Sequence, residues 1–180
     1  MGIDVEELQS RSELNERMRF LDRPVVLRSD VEAPKRYYII RIGLPSGSTR
    51  EFGLVSNGVS GKPSVQLFAD QTRAAIGVDS SVTVVDLRTP MPGVEGELRL
   101  DGVFFEFVAT PTDKNVVALH ELGVLAVGVG GLAKWSVSTD VVNHRQVLDK
   151  KWLVLSDDSG GAPLRVDLTN GRAKLIGGVR

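Results

Sequence analysis

Residues 122–140, LGVLAVGVGGLAKWSVSTD, constrain the fold more than any other stretch of the chain. The segment fits two incompatible structures. Gly128-Val129-Gly130-Gly131-Leu132-Ala133 satisfies the G-x-G-x-x-A pattern behind an apolar run, and an acidic residue, Asp157, follows the later apolar run WLVLS. In a dinucleotide-binding unit those glycines would form the tight turn and let a pyrophosphate reach a helix N-terminus. As a β-hairpin, the same residues would be a scaffold element with no chemistry of their own.

Local chemistry favours the hairpin. The helix a dinucleotide site needs would have to be WSVSTDVVN, which is dense in β-branched and serine residues that form helices poorly. Upstream segments read as hairpins rather than as alternating β and α units. A three-residue loop, Gly130-Gly131-Leu132, pairs Val129 with Ala133, Val127 with Trp135 and Leu125 with Val137 on one face. Trp135 is then predicted to face inward beside Val127.

From Val25 onward the same texture repeats, with short β-rich runs separated by Gly, Pro, Ser, Asn and Asp. Strands are predicted at 25–29, 36–44, 50–55, 64–69, 73–78, 82–88, 97–100, 103–109, 115–119, 123–129, 133–138, 142–148, 151–156, 163–168 and 172–177. Between Tyr37 and Val55, a loop of odd length places Tyr38, Ile40 and Ile42 on one face with Phe52 and Leu54. Asp101-Gly102 is predicted to turn a hairpin pairing Leu100 with Val103 and setting Arg99 opposite Phe104. Asn170-Gly171 is predicted to turn another, pairing Val166 and Leu168 with Leu175 and Ala173, and Asp167 with Lys174. Residues 1–22 are assigned to an N-terminal helix over 3–22, capped by Asp4, with Leu14, Met18 and Leu21 on one face. The fold class is therefore mainly β: antiparallel hairpins or a meander, propeller-like or sandwich, with one N-terminal α-helix.

AAIGVDSSVTVV (74–85) lies over LAVGVGGLAKWS (125–136) at an offset of 51 residues, a period suited to four-stranded propeller blades. Residues 116–174, with Trp135 ending a strand and VDLTNGR at 166–172, resemble a blade of a PQQ-like β-propeller. No tryptophan follows Gly171 as that pattern requires, so the resemblance implies a strand arrangement and brings no cofactor or catalytic residue.

Composition narrows function mainly by exclusion. At 180 residues, 42% hydrophobic and 25% charged, the chain suits a single globular domain over 1–180, with the β portion at 25–180. Lysine and arginine number 22 against 23 aspartates and glutamates, and the arginines are scattered, so no basic field draws in nucleic acid. The absence of cysteine excludes disulfides and thiolate chemistry. No apolar run approaches the ~20 residues of a membrane-spanning helix, and MGIDVEE has no signal-peptide character, so a cytoplasmic location is expected.

Candidate sites are few. His120 and His144 are the two histidines, and with Glu121 and Asp140 they could bind a metal or serve a hydrolase if the fold gathered them. Neighbours on a strand point to opposite faces, however, which separates His120 from Glu121. The loop from Asn57 to Pro63 lacks the first glycine and the Ser or Thr of a phosphate loop. Trp152, Arg99 and Phe104 are the candidate partner-binding residues. The expected function is a non-enzymatic protein-interaction or assembly module with no cofactor, whose partner is another protein or a second copy. A small-ligand or carbohydrate-type binding domain is the first alternative, and a metal-dependent hydrolase using His120 and His144 the second.

Overall fold

Consecutive residues of the central strands belong to different hydrophobic cores, and that property generates the architecture. The computed structural model describes residues 2–21, 24–28, 35–89, 93–110, 114–158 and 160–177. In order, they form β1 (Ile3–Leu8), α1 (Arg11–Met18), β2 (Val26–Arg28), β3 (Arg36–Gly43), β4 (Thr49–Ser56), β5 (Ser64–Leu67), β6 (Arg73–Val78), β7 (Ser81–Asp86) and β8 (Gly93–Arg99). Then follow β9 (Phe104–Val108), β10 (Asn115–His120), β11 (Gly123–Gly128), β12 (Ala133–Ser138), β13 (Val142–Leu148), β14 (Trp152–Asp157), β15 (Leu164–Asp167) and β16 (Ala173–Leu175).

These strands form four sheets of four strands, taken up in chain order. Blade 1 runs β1-β3-β4-β2, with β2 parallel to β4. Blades 2, 3 and 4 are antiparallel meanders: β5-β6-β7-β8, β9-β10-β11-β12 and β13-β14-β15-β16. Such stacking of small sheets is propeller-like.

Three inter-blade cores hold the array together. Between blades 1 and 2 lie Tyr38, Ile40, Phe52 and Leu54 against Ala74, Ile76 and Val85. Between blades 2 and 3 lie Ala75, Val82 and Val84 against Phe104, Val116, Ala118 and Val127. Val117, Leu119, Val124 and Ala126 meet Leu153, Leu155 and Val166 between blades 3 and 4. In β6, Ala74 and Ala75 therefore face opposite ways, as do Val116 and Val117 in β10. Each fully buried Val, Leu, Ile or Phe is worth roughly 1.5–3 kcal/mol relative to exposure, so these two-faced strands dominate the stability.

Two glycine contacts decide how closely the blades approach. A Cβ on Gly96 in β8 would lie 2.7 Å from the Gly130 carbonyl oxygen and 2.9 Å from Gly131 Cα. The turn after β11 thus packs backbone to backbone on blade 2, with Gly130 at φ +82 and Gly131 at φ +69. A Cβ on Gly171 would come within 2.6 Å of the Trp135 ring, so the turn before β16 seats on blade 3.

Predicted strands 25–177 correspond one for one with β2–β16, and the odd loop holds: Tyr38 pairs Leu54 and Ile40 pairs Phe52 around residues 44–48. Other expectations need correcting. Residues 3–8 form β1, which pairs with β3; the helix begins only at Arg11, capped by Ser10, whose Oγ accepts from Glu13 N–H at 3.2 Å. Glu13 Oε2 accepts in turn from the N–H of Gln9, the residue before the cap, at 2.9 Å, so Ser10 and Glu13 close the helix start while Asp4 lies in β1. Asp101-Gly102 turns no hairpin, because Leu100 bonds Ser80 and Phe104 bonds Asp79, which sends β9 into the next sheet. Arg99 pairs with Ser81 instead of facing Phe104.

Around Gly130 the hairpin exists with a different register. A bulge between Ala126 and Val127 sets Trp135 opposite Ala126 and Ala133 opposite Val127. Trp135 does face inward, but toward blade 4 rather than beside Val127. In the last hairpin Val166 pairs Ala173 and Arg165 pairs Lys174, because the Asp167 carboxylate binds the Thr169 N–H and widens the turn. Strands in equivalent blade positions begin at Arg73 and Asn115, and at Ser81 and Gly123, 42 residues apart. The 51-residue offset lays second and third strands over third and fourth ones.

Replacing Gly96 by Val puts a side chain into backbone atoms of the neighbouring blade, with an expected cost of about 1–3 kcal/mol. Thermal unfolding of Gly96→Val should show a melting temperature several degrees below that of the parent. An unchanged melting temperature would mean that β8 does not touch the Gly130–Gly131 turn.

Candidate functional site

Among the described residues, one face of blade 4 meets another sheet, whereas blades 2 and 3 are covered on both faces. In β14, Leu153 and Leu155 point into the core shared with blade 3. Alternation turns Trp152 and Val154 to the other side. Register brings Leu148 opposite Trp152, Arg165 opposite Val154, and Lys174 opposite Arg165. Leu148, Val154, Arg165, Lys174, Leu175 and Ile176 line a shallow groove of about 300 Å³ on this outer side.

The electrostatics of the groove are basic and aromatic. The Arg165 guanidinium carbon lies 4.0 Å from the Trp152 ring centroid, and Lys151 Nζ lies 5.2 Å from it. Arg165 Nε is buried without a hydrogen-bond partner. Buried donors are ordinarily satisfied, so this one marks a place where an incoming acceptor would be stabilised. Nearby Asp167 is occupied locally: burial pushes its carboxyl up, but hydrogen bonds from Thr169 and Asn170 and the charge of Lys151 hold it below the usual range. Leu175 is 67% exposed and Ile176 37%, so the apolar rim faces solvent.

Of the predicted partner-binding residues, Trp152 is half-buried beside this groove. Phe104 is 2% exposed in the core between blades 2 and 3, filling the space that the missing Gly77 side chain leaves. Arg99 sits at the exposed end of β8. Arg165 and Lys174 were not among the predicted residues: the alternation of LRVDL and AKLIG sets which side chains share a face within each strand, and the pairing of β14, β15 and β16 is what brings them to Trp152.

The histidine and carboxylate candidates are placed separately. His120 ends β10 and is buried, whereas His144 lies exposed on β13 opposite Ser156. Asp140 is exposed between β12 and β13. Glu121 is engaged structurally: its Oε2 accepts from Val103 N–H at 3.4 Å, and its backbone carbonyl accepts from Val142 N–H at 2.8 Å. Among the described residues, no group of three or more His, Asp or Glu side chains is arranged to hold a metal ion. The loop 57–63 folds onto Asp79, whose carboxylate accepts from Ser56 Oγ at 3.0 Å and from the N–H groups of Asn57 at 2.9 Å and Val59 at 3.2 Å. That carboxylate clamps a loop between blades 1 and 2.

Burial lowers the His120 pKa below its ordinary 6.5, against the smaller opposing pull of Asp101 and Glu121. The neutral imidazole is therefore favoured by folding. On acidification below 6.5 the unfolded chain takes up the proton first, so stability present above that pH is lost as pH falls toward the folded-state value. Urea unfolding at neutral and mildly acidic pH should show a smaller loss for His120→Gln than for the parent. Equal losses would assign the pH dependence to other groups.

No family model matches the sequence, and no curated protein matches it. Solved structures do. Hydrazine synthase from Kuenenia stuttgartiensis is 14% identical, with a TM-score of 0.51 and 87% of this chain and 50% of that chain covered. A putative 6-phosphogluconolactonase from Bacteroides fragilis is 12% identical, with a TM-score of 0.52 and coverage of 82% and 56%. The β-propeller domain of Cps50 (Swd1) from Myceliophteria thermophila is 9% identical, with a TM-score of 0.48 and coverage of 83% and 55%. The chain spans about half the length of the solved chains it matches. At these identities the likeness concerns the fold alone, a propeller-type array of β-blades.

Proposed function

We propose that the chain is a non-enzymatic protein-interaction or assembly module, acting as one unit over 1–180 in the cytoplasm, and that the outer face of blade 4 is its binding surface. The observation that carries this reading is the groove between Leu148 and Ile176, apolar at its rim and lined by Arg165 and Lys174 beside Trp152. Tryptophan and arginine are the side chains that most often dominate binding energy at protein interfaces. The Arg165 guanidinium is already held over the Trp152 ring, so it loses less freedom on meeting a carboxylate than a free side chain would. Propeller-type folds in general suit this role, presenting a rigid frame whose rims and faces can vary.

A small-ligand or carbohydrate-type domain is the second reading, and the tryptophan beside an arginine in a concavity is what favours it. Sugar recognition would use an open aromatic face, whereas Arg165 and Lys151 both lie over the Trp152 ring. The protein partner therefore takes precedence.

Leu175 is exposed enough that Leu175→Glu should leave the fold intact. In affinity capture from the native host, the parent chain should retain a protein partner and L175E at least tenfold less of it. Equal recovery by both chains would move the binding surface elsewhere.

A further inference from the structure

We infer that the blade 4 groove takes an acidic peptide segment of another protein, with carboxylates on Arg165 and Lys174 and an apolar side chain against the rim. That occupant presupposes the interaction-module reading and gives its partner a chemistry.

Pairing and alternation decide which side chains share the outer side of blade 4. Leu148, Trp152, Val154, Arg165, Asp167 and Lys174 fall there, opposite one another on adjacent strands. Leu153, Leu155 and Val166 fall on the other side, against blade 3. Charge divides along the same line. On the inner side, Arg145 of β13 reaches across to Glu106 of blade 3 and is ion-paired. Arg41, Arg73 and Arg88 are likewise paired with carboxylates of their own blades. Among the described residues, neither Arg165 nor Lys174 joins an ion pair. Asp167 is the carboxylate that alternation turns to the outer side, and it already accepts from Thr169 N–H and Asn170 Nδ2. The groove therefore sets Lys151, Arg165 and Lys174 against a single, occupied carboxylate.

Local geometry asks for an anion rather than for any polar group. Arg165 Nε is buried without a hydrogen-bond partner, and the Trp152 ring 4.0 Å away holds the guanidinium in place. A carboxylate supplies the missing acceptor and the opposite charge together. A neutral hydroxyl supplies only the acceptor.

Shape then selects a peptide. The groove is shallow, about 300 Å³, and its rim residues Leu175 and Ile176 are 67% and 37% exposed. A small ligand needs a concavity that encloses most of its surface. A peptide can lie across a shallow groove and cover the apolar rim with a side chain of its own. A nucleic acid strand would need open aromatic faces for its bases, and here Lys151 and Arg165 both stand over the ring.

Selection from a library of random peptides displayed on phage, panned on the purified chain, tests the inference. The enriched peptides should be rich in Asp and Glu beside an apolar residue. Fluorescence anisotropy on one such synthetic peptide should show affinity falling roughly tenfold in Arg165→Gln and in Lys174→Glu. Lys174→Arg should bind like the parent, and replacing the peptide's acidic residues by their amides should weaken binding as R165Q does. Lys174 is exposed, so K174E decides the matter even if R165Q unfolds, with far-ultraviolet circular dichroism as the check on folding. Affinity should also fall several-fold as salt is raised. Enriched peptides without acidic residues, or binding indifferent to K174E, would overturn the inference and leave the module reading standing. Equal binding of single-stranded DNA would give the face to polyanions in general, and a dimer that K174E dissolves would give it to a second copy. Either result overturns the inference. No enrichment would overturn it too, and the module reading would fall with it only if L175E also retained as much partner as the parent.

Discussion

Burial on both faces of the central strands is the constraint on which the molecule depends. A strand such as GVLAVG in β11 has no polar side, so its sheet cannot rest on solvent and must be covered twice. The covering is supplied by the sheets before and after it in the chain. Leu125 and Val127 go to one core, Val124 and Ala126 to the other. An α/β protein covers such strands with helices, but here almost no sequence is available to make them. Stacking sheet on sheet is the remaining solution, and it produces blades.

Close stacking then selects glycine at particular contacts. The Gly130–Gly131 turn, so similar on paper to a phosphate cradle, lies against Gly96 of the preceding blade. Backbone approach is the physical need in both cases. A nucleotide site uses small residues to admit a ligand, and this chain uses them to admit a neighbouring sheet. Gly171 against the Trp135 ring repeats the device one blade further on, and there the tryptophan supplies the bulk.

Strand positions were legible because turn chemistry and β-branched runs are local signals. The β3–β4 register was legible too, since Tyr38, Ile40, Phe52 and Leu54 admit only one pairing that keeps them on a single face. Asp101-Gly102 misled for a physical reason: a two-residue turn signal says that the chain reverses, and says nothing about whether the strands after it share a sheet. Strands of β11 type, apolar on both faces, weaken register inference because a one-residue slip leaves every position apolar. That is how Trp135 came to be matched with Val127 rather than Ala126. At the N-terminus the charged run DVEE resembled a first helical turn, while its true alternation pairs Val5 with Ile40 and leaves Asp4 and Glu6 for Arg41. Trp152 was visible as a candidate, but Arg165 and Lys174 could be joined to it only once β14, β15 and β16 had been placed side by side.

The ends of such an array carry its remaining freedom. α1 closes one end with Leu14 and Met18, and blade 4 keeps a tryptophan, two basic groups and an apolar rim on the other. Native-state hydrogen exchange tests the two-core origin of stability most directly. Amides of β6, β7, β10 and β11 should exchange slowest, through unfolding of the whole array, and those of β16 much faster. Slowest exchange in residues 141–177, or helical protection across residues 131–140, would contradict the account.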